Sequence, residues 1–204
     1  IVTNVRPGFM KNGKPCGFVT IEDFENSGEI AFFGESWGQW SGRMAVGNSL
    51  YITMKCYKKF KESNYYNLDI LDIGCGYGFI GISLAKILEA QVTMCDVNKR
   101  ALHLAKKNCE ENNVEAKVIE SDAYTNITDI YDLIITNPPI RAGKETVYSI
   151  LDGARDRLKA KGELWFVIRK DQGAKSTMAH LEETMKCTVV EKSKGFYIIK
   201  AEKR

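Results

Sequence analysis

Two rhythms of apolar and polar positions divide the chain. Up to about residue 67, short β-branched and aromatic runs are broken by turn residues with hardly any helical periodicity, which predicts an all-β unit. Strands are expected at residues 1–6, 17–23, 29–34, 49–58 and 65–69, with hairpin signals at Asn12-Gly13 and Asn26-Ser27-Gly28. Residues 36–44 read equally as a short helix or a loop, because Gly38 and Gly42 weaken the helix. From Leu68 onward, apolar runs of five or six residues alternate with amphipathic segments of ten to fifteen. Strands are expected at 68–73, 91–96, 116–120, 132–137, 162–168, 187–192 and 195–201, and helices at 78–89, 99–112, 145–159 and 174–185.

The second rhythm is that of an α/β fold, a doubly wound, Rossmann-like sheet of seven strands covered by helices, with its last two strands an antiparallel hairpin at the edge. The first, five strands with a helix after the third, has the order of a small OB-like barrel, an oligonucleotide-binding scaffold. The expected division is residues 1–69 and 70–204, although both units lay claim to residues 67–70.

Composition narrows the field. The chain has 204 residues, 44% of them apolar and 27% charged, which excludes disorder, and no uncharged stretch approaches the 18 or more residues that a membrane span needs. It starts at Ile1 without Met or a basic leader, so the numbering is expected to begin inside a longer or trimmed chain not marked for secretion. Six scattered Cys without a C-x-x-C pair, and only two His, give poor spacing for a metal site and suit reduced thiols in the cytoplasm. A net charge of +3 is too small to announce a nucleic-acid protein, so any such partner must come from local sites.

Asp72-Ile73-Gly74-Cys75-Gly76-Tyr77-Gly78 follows a predicted strand and opens a predicted helix, where glycines let backbone amides approach a ligand. Its third glycine comes one residue earlier than in the dinucleotide pattern and an acid precedes the set, which points to S-adenosylmethionine. Asp96, ending the next strand with Val97 beside it, can accept both ribose hydroxyls; capping the following helix is the plainer alternative. Ser121, Asp122 and Ala123 close the third strand, where an acid can reach an adenine amino group and Ala123 or Tyr124 can add a backbone or ring contact; turn chemistry explains them equally well. Thr136-Asn137-Pro138-Pro139-Ile140 ends the fourth strand, over the same crevice. Its prolines stiffen the turn, so that the Asn137 amide oxygen and the Pro138 carbonyl become rigid acceptors for an amino group on a planar ring.

With these motifs in place, residues 71–200 resemble the RsmC-like class I S-adenosylmethionine-dependent ribosomal RNA guanine-N2 methyltransferases. Beyond the two motifs, the likeness lies in Asp96-Val97-Asn98-Lys99-Arg100-Ala101-Leu102, Arg141-Ala142-Gly143-Lys144, Leu164-Trp165-Phe166-Val167-Ile168 and Lys194-Gly195-Phe196-Tyr197. It implies a catalytic turn of Asn137, Pro138, Pro139 and Ile140. The implied cofactor set is Asp72, Gly74, Cys75, Gly76, Gly78, Asp96, Val97, Ser121, Asp122, Ala123 and Asn137. Arg141 and Lys144 fall where RNA phosphates would be met, and no metal is implied.

The first unit is similar instead to the OB-fold domain of bacterial DNA polymerase III alpha subunits, through Lys11-Asn12-Gly13-Lys14-Pro15-Cys16-Gly17-Phe18, Ile21-Glu22-Asp23, Gly28-Glu29-Ile30 and Gly47-Asn48-Ser49-Leu50-Tyr51-Ile52. That likeness implies contact with single-stranded nucleic acid, with Phe18, Phe32, Trp37, Trp40 and Tyr57 as stacking or core residues. A join near residues 67–70 then reads as the seam of a chimera, and the rival reading is a binding module whose methyltransferase-like part is inactive. Lys55, Lys58, Lys59 and Lys61 read as solvated surface, His103 and His180 as partnerless, and Asp152, Arg155, Asp156 and Arg157 as helix-surface pairs.

Overall fold

The computed structural model describes residues 2–9, 15–22, 27–33, 52–53, 59, 67–193 and 195–204. Three strands, β1 (Val2–Phe9), β2 (Pro15–Glu22) and β3 (Ser27–Phe33), form an antiparallel sheet of their own in the order β1-β2-β3. Phe9 pairs with Pro15 and Glu22 with Ser27, so the first hairpin falls where Asn12-Gly13 signals it. Ser27 and Gly28 already belong to β3, which leaves a shorter second turn than expected.

The fourth and fifth strands of the expected barrel are not borne out where the chain is described. Ile52 and Thr53, placed in the strand at 49–58, are helical and fully buried, Ile52 in the cluster beneath the second sheet, so tertiary burial overrides its β-branched preference. Asn67 adopts a left-handed φ of 56°, and the next strand starts only at Asp69 and pairs in the second sheet.

That second sheet has seven strands: β4 (Asp69–Ile73), β5 (Gln91–Asp96), β6 (Ala116–Glu120), β7 (Tyr131–Thr136), β8 (Leu158–Arg169), β9 (Met185–Ser193) and β10 (Phe196–Lys203). Their order is β6-β5-β4-β7-β8-β10-β9; the first five run parallel, and β10 lies antiparallel between β8 and the edge strand β9. Helices α1 (Phe79–Leu88), α2 (Lys99–Asn112), α3 (Lys144–Arg157) and α4 (Ala174–Leu181) fall close to the sequence expectation. Among the described residues no helix is long and apolar enough to cross a membrane.

Burial explains the order. β4 and β7 are apolar runs buried on both faces, which suits central parallel strands, whereas β6 is only half-buried and lies at an edge. One face packs Ile70, Met94, Leu133 and Trp165 against Ile80, Ile82 and Leu84 of α1 and Leu102 and Cys109 of α2. The other packs Leu71, Ile134, Phe166 and Ile199 against Val147, Ile150, Leu151 and Ala154 of α3 and Leu181 of α4. Truncating a buried Leu or Ile among these, such as Leu71 or Ile134, to Ala would cost about 2–5 kcal/mol. Glu163, nearly buried on β8, accepts from Trp165 Nε1 at 2.8 Å and pairs with Lys59 and Lys200. Lys59, expected on a solvated surface, is instead half-buried, 5.5 Å above the Trp165 ring.

Candidate active site at the carboxyl ends of the strands

Strand order reverses beside β4, and its carboxyl end opens into the glycine turn. Gly74, Gly76 and Gly78 all adopt left-handed φ values, of 70°, 56° and 90°. A Cβ at Gly78 would stand 2.9 Å from Ile82 Cδ1 and 3.2 Å from Met94 Sδ, so only glycine lets α1 start this close to β5. At Gly76 a Cβ would meet nothing within 4 Å, and the backbone there faces open space. Gly74 and Cys75 donate their amides to the Cys95 carbonyl at 2.9 and 3.0 Å, and Asn108 of α2 donates to the Tyr77 carbonyl at 2.8 Å. Sequence reasoning missed Asn108. Its signal was a polar amide on the apolar face of α2, which must find a partner when buried.

Carboxylates surround this turn. Asp72 is buried; its Oδ2 accepts the Gly81 amide at 2.8 Å, and no described residue partners its Oδ1. Burial above all, with the negative charge of Asp96 adding to it, pushes the Asp72 carboxyl up to about 7. Burial likewise raises the Cys95 thiol to about 12 and the Cys75 thiol further, so both act as small packing residues here. Asp96 does not cap α2. Asn98 does, accepting from Arg100 and Ala101 amides at 3.0 and 3.4 Å, while the Asp96 carboxylate accepts Gly76 N–H at 2.9 Å and Asn98 N–H at 2.8 Å. Each oxygen keeps a further lone pair. Val97, beside it, is 59% exposed.

Ser121 is buried, donates to the Ala123 carbonyl at 2.8 Å and accepts the Asn126 amide at 3.1 Å, so its hydroxyl serves the turn. Asp122 is exposed and Ala123 has a left-handed φ of 44°. Tyr124 does not offer its ring to the crevice: a Cβ at Gly153 of α3 would lie 2.4 Å from the ring, and its hydroxyl donates to the Ile150 carbonyl at 2.8 Å.

Across the crevice, Thr136 donates to the Ile73 carbonyl at 2.7 Å, tying the end of β7 to the end of β4. Ile140 N–H donates to the Pro138 carbonyl at 2.9 Å around Pro139 at φ −76°, ψ 77°, an inverse γ-turn. The Pro138 carbonyl therefore keeps one lone pair for a ligand, not two. Asn137 is half-buried, Pro138 buried and Pro139 exposed. The Gly74 Cβ position is 4.0 Å from Pro139 Cδ, so the glycine turn and the N-P-P turn face each other. Ile140 is half-buried, and exposed Arg141 and Lys144 follow on a one-turn helix and the start of α3. His180, expected without a partner, lies 2.9 Å from Asp152 and stacks on Tyr148 at 4.0 Å. Phe18 and Phe32 sit on β2 and β3; Trp37, Trp40, Tyr57, Lys55, Lys58 and Lys61 lie outside the described residues. A groove of about 1030 Å³ lined by Asp69, Val92, Lys117, Tyr131 and Lys159 opens at the opposite edge, away from the strand ends where open α/β sheets bind ligands.

Residues 57–200 match the family described as Methyltransferase small domain. The uncharacterized protein YbxB of Bacillus subtilis is 48% identical over 139 residues, 66% of this chain and 69% of that protein. Ribosomal RNA small subunit methyltransferase C of Haemophilus influenzae is 40% identical over 103 residues, 48% of this chain but 31% of that protein, so the chain spans about a third of that relative's length. The 16S rRNA N2 methyltransferase RsmC of T. thermophilus, solved with AdoMet and guanosine, superposes with a TM-score of 0.76 at 20% identity over 93% of this chain and 51% of that one, a likeness of fold.

Proposed function

The chain belongs to the Methyltransferase small domain family, and from that premise we propose that it methylates the exocyclic N2 amino group of guanine in ribosomal RNA. Its cofactor is S-adenosylmethionine. The residues fit that group: Gly76 borders open space, Asp72 below it keeps a carboxylate oxygen without a partner among the described residues, and Asp96 keeps acceptors for ribose hydroxyls. When bound, it supplies an electrophilic methyl group.

The observation that carries the reading is the N-P-P turn facing the glycine turn, with Gly74 and Pro139 in near contact. The Asn137 amide oxygen and the remaining lone pair of the Pro138 carbonyl accept the two hydrogens of a planar amino group. That aims the nitrogen lone pair across the crevice and strengthens as the nitrogen becomes tetrahedral. No charged base is needed, because the proton is lost only once the nitrogen has become acidic. Pro139 and Ile140 fix the turn, Val97 and Ser121 to Ala123 border the adenine side, and Arg141 and Lys144 meet phosphates. The Haemophilus influenzae relative, described as a ribosomal RNA methyltransferase, supports the substrate class.

The test is incubation of the protein with S-adenosylmethionine and unmethylated ribosomal RNA, followed by nucleoside mass spectrometry. N2-methylguanosine is expected. A methyl group on another atom overturns the assignment of the amino group, and cofactor binding without transfer to any RNA favours a non-catalytic module. The smaller sheet β1-β2-β3, which among the described residues shares no ladder with the larger one, would offer single-stranded nucleic acid a second contact.

A further inference from the structure

The edge that carries the N-P-P turn also carries a surface that the cofactor does not use. β7 ends at Thr136, which pairs with Phe166, while β8 continues to Arg169. At about 3.3 Å per residue, those extra residues lift the end of β8 roughly 10 Å past the turn. β10 starts opposite it, Phe196 pairing with Arg169 and Tyr197 with Lys192 of β9. β8 neighbours β7, and β10 lies one strand further out.

Three cation–ring pairs occupy that rim. Lys144 Nζ lies 5.0 Å from the Tyr148 ring centroid, the Arg169 guanidinium 5.6 Å from Phe196, and Lys192 Nζ 4.9 Å from Tyr197. All three rings are half-buried; Phe196 packs toward the α1–α2 side and the two tyrosines toward the α3–α4 side. Stacking on His180, itself held by Asp152, fixes Tyr148. Asp171 neutralises Arg169 at 2.7 Å, but no carboxylate among the described residues pairs with exposed Arg141, Lys144, Lys170 or Lys192. Exposed Arg141, Lys144, Lys170 and Lys192 thus gather beyond β7, beside Glu145 and Asp171, whereas Asp96 and Asp122 stand at the tips of β5 and β6, with Lys99 and Arg100 following Asp96.

Cations beside half-buried rings suit an unpaired nucleotide, whose base stacks on a ring face while its phosphate meets the charge. An acidic peptide would use the cations and leave the rings idle. We propose that this rim binds single-stranded RNA, holding the unpaired nucleotides that flank the target base. The inference rests on the reading of the N-P-P turn as an amino-group site in RNA.

The experiment measures binding of a short single-stranded RNA containing one guanine to the full chain, by fluorescence anisotropy across a salt series. Lys192→Gln should weaken binding several-fold and lower the slope of log affinity against log salt by about one unit. Tyr197→Leu keeps the apolar packing and removes the aromatic face; it should weaken binding by about tenfold with the slope unchanged. Cofactor affinity by calorimetry should match the parent in both variants, which certifies the fold. Parental RNA affinity in both overturns the rim, as does an RNA duplex that competes as well as the single strand, or a parent that ignores RNA and methylates an acidic peptide. If the variants lose affinity while the parent methylates RNA at an atom other than N2, the rim stands and only the amino-group assignment falls.

Discussion

At the tips of β4, β5 and β6 the groups that face the crevice are largely backbone, shaped by left-handed glycines and held by short carboxylates: Gly76 N–H on Asp96, Gly81 N–H on Asp72. Around the ends of β7, β8 and the β9–β10 hairpin there are side chains on long stems, Lys144 at the start of α3, Arg169 on β8 and Lys192 on β9, each lying over a ring. The first region carries acids, from buried Asp72 to exposed Asp122; the second carries the exposed cations Lys144 and Lys192 over half-buried rings. Recognition of one invariant small molecule rewards rigid backbone, because ordering is completed on folding. A polymer with variable flanks is met by adaptable cations and ring faces.

The largest effect should come from the buried acid of the first region. Asp72 titrates near 7 in the folded chain against an ordinary 3.8. Below about 3.8 it is protonated in both states; as pH rises the unfolded chain ionises first, so folding stability falls until about 7 and stays lower above it. Asp72→Asn, whose amide oxygen can still accept Gly81 N–H, should therefore stabilise the cofactor-free protein by up to about 4 kcal/mol at pH 8 and by almost nothing at pH 4, read by urea unfolding. It should also weaken cofactor binding, since a negative charge beneath the glycine turn is gone. A gain of equal size at both pH values would show that burial of Asp72 is not the cause.

Next, Asn137→Ala should lower turnover by about 10² to 10³, roughly 2.7–4 kcal/mol, with cofactor affinity intact. If calorimetry shows cofactor affinity falling in step, the two regions are not separable. Asp96→Ala should do the converse: at least tenfold weaker cofactor binding, from a charge-assisted bond worth roughly 1.5–3 kcal/mol, and unchanged affinity for single-stranded RNA.

The same contrast explains what could be read from the sequence. The region proposed for the cofactor is built from contiguous motifs, so the glycine turn at residues 72–78 and the strand end at Asp96 fell where spacing placed them, and the strands and helices behind them fell within a few residues of expectation. Apolar period fails elsewhere. Nothing in a linear pattern places Tyr197 only two strands from β7, because that requires β10 to insert between β8 and β9. His180 looked idle because its partners, Asp152 and Tyr148, lie on a different helix. Ile52 carried a strand preference that burial beneath the larger sheet overrides. Asp96 had two readings in sequence, and the structure separates them, giving the cap to Asn98.

That separation yields the smallest and most discriminating expectation. Asn98 Oδ1 accepts the Arg100 and Ala101 amides, whereas Asp96 is held by the backbone amides of Gly76 and of Asn98 itself. Alanine at 98 removes the first pair and keeps the second. Asn98→Ala should then cost about 1 kcal/mol of stability, the usual worth of a helix cap, while cofactor affinity stays within about twofold of the parent. Asn98→Asp should recover the cap and gain from the helix dipole, about 0.3–1 kcal/mol, yet bring a second negative charge close to Asp96. If cofactor affinity instead falls tenfold with Asn98→Ala, the start of α2 is what aims Asp96. The cofactor region would then depend on a side chain in the way that the rim does, and the contrast between backbone and side-chain recognition would fail at its clearest point.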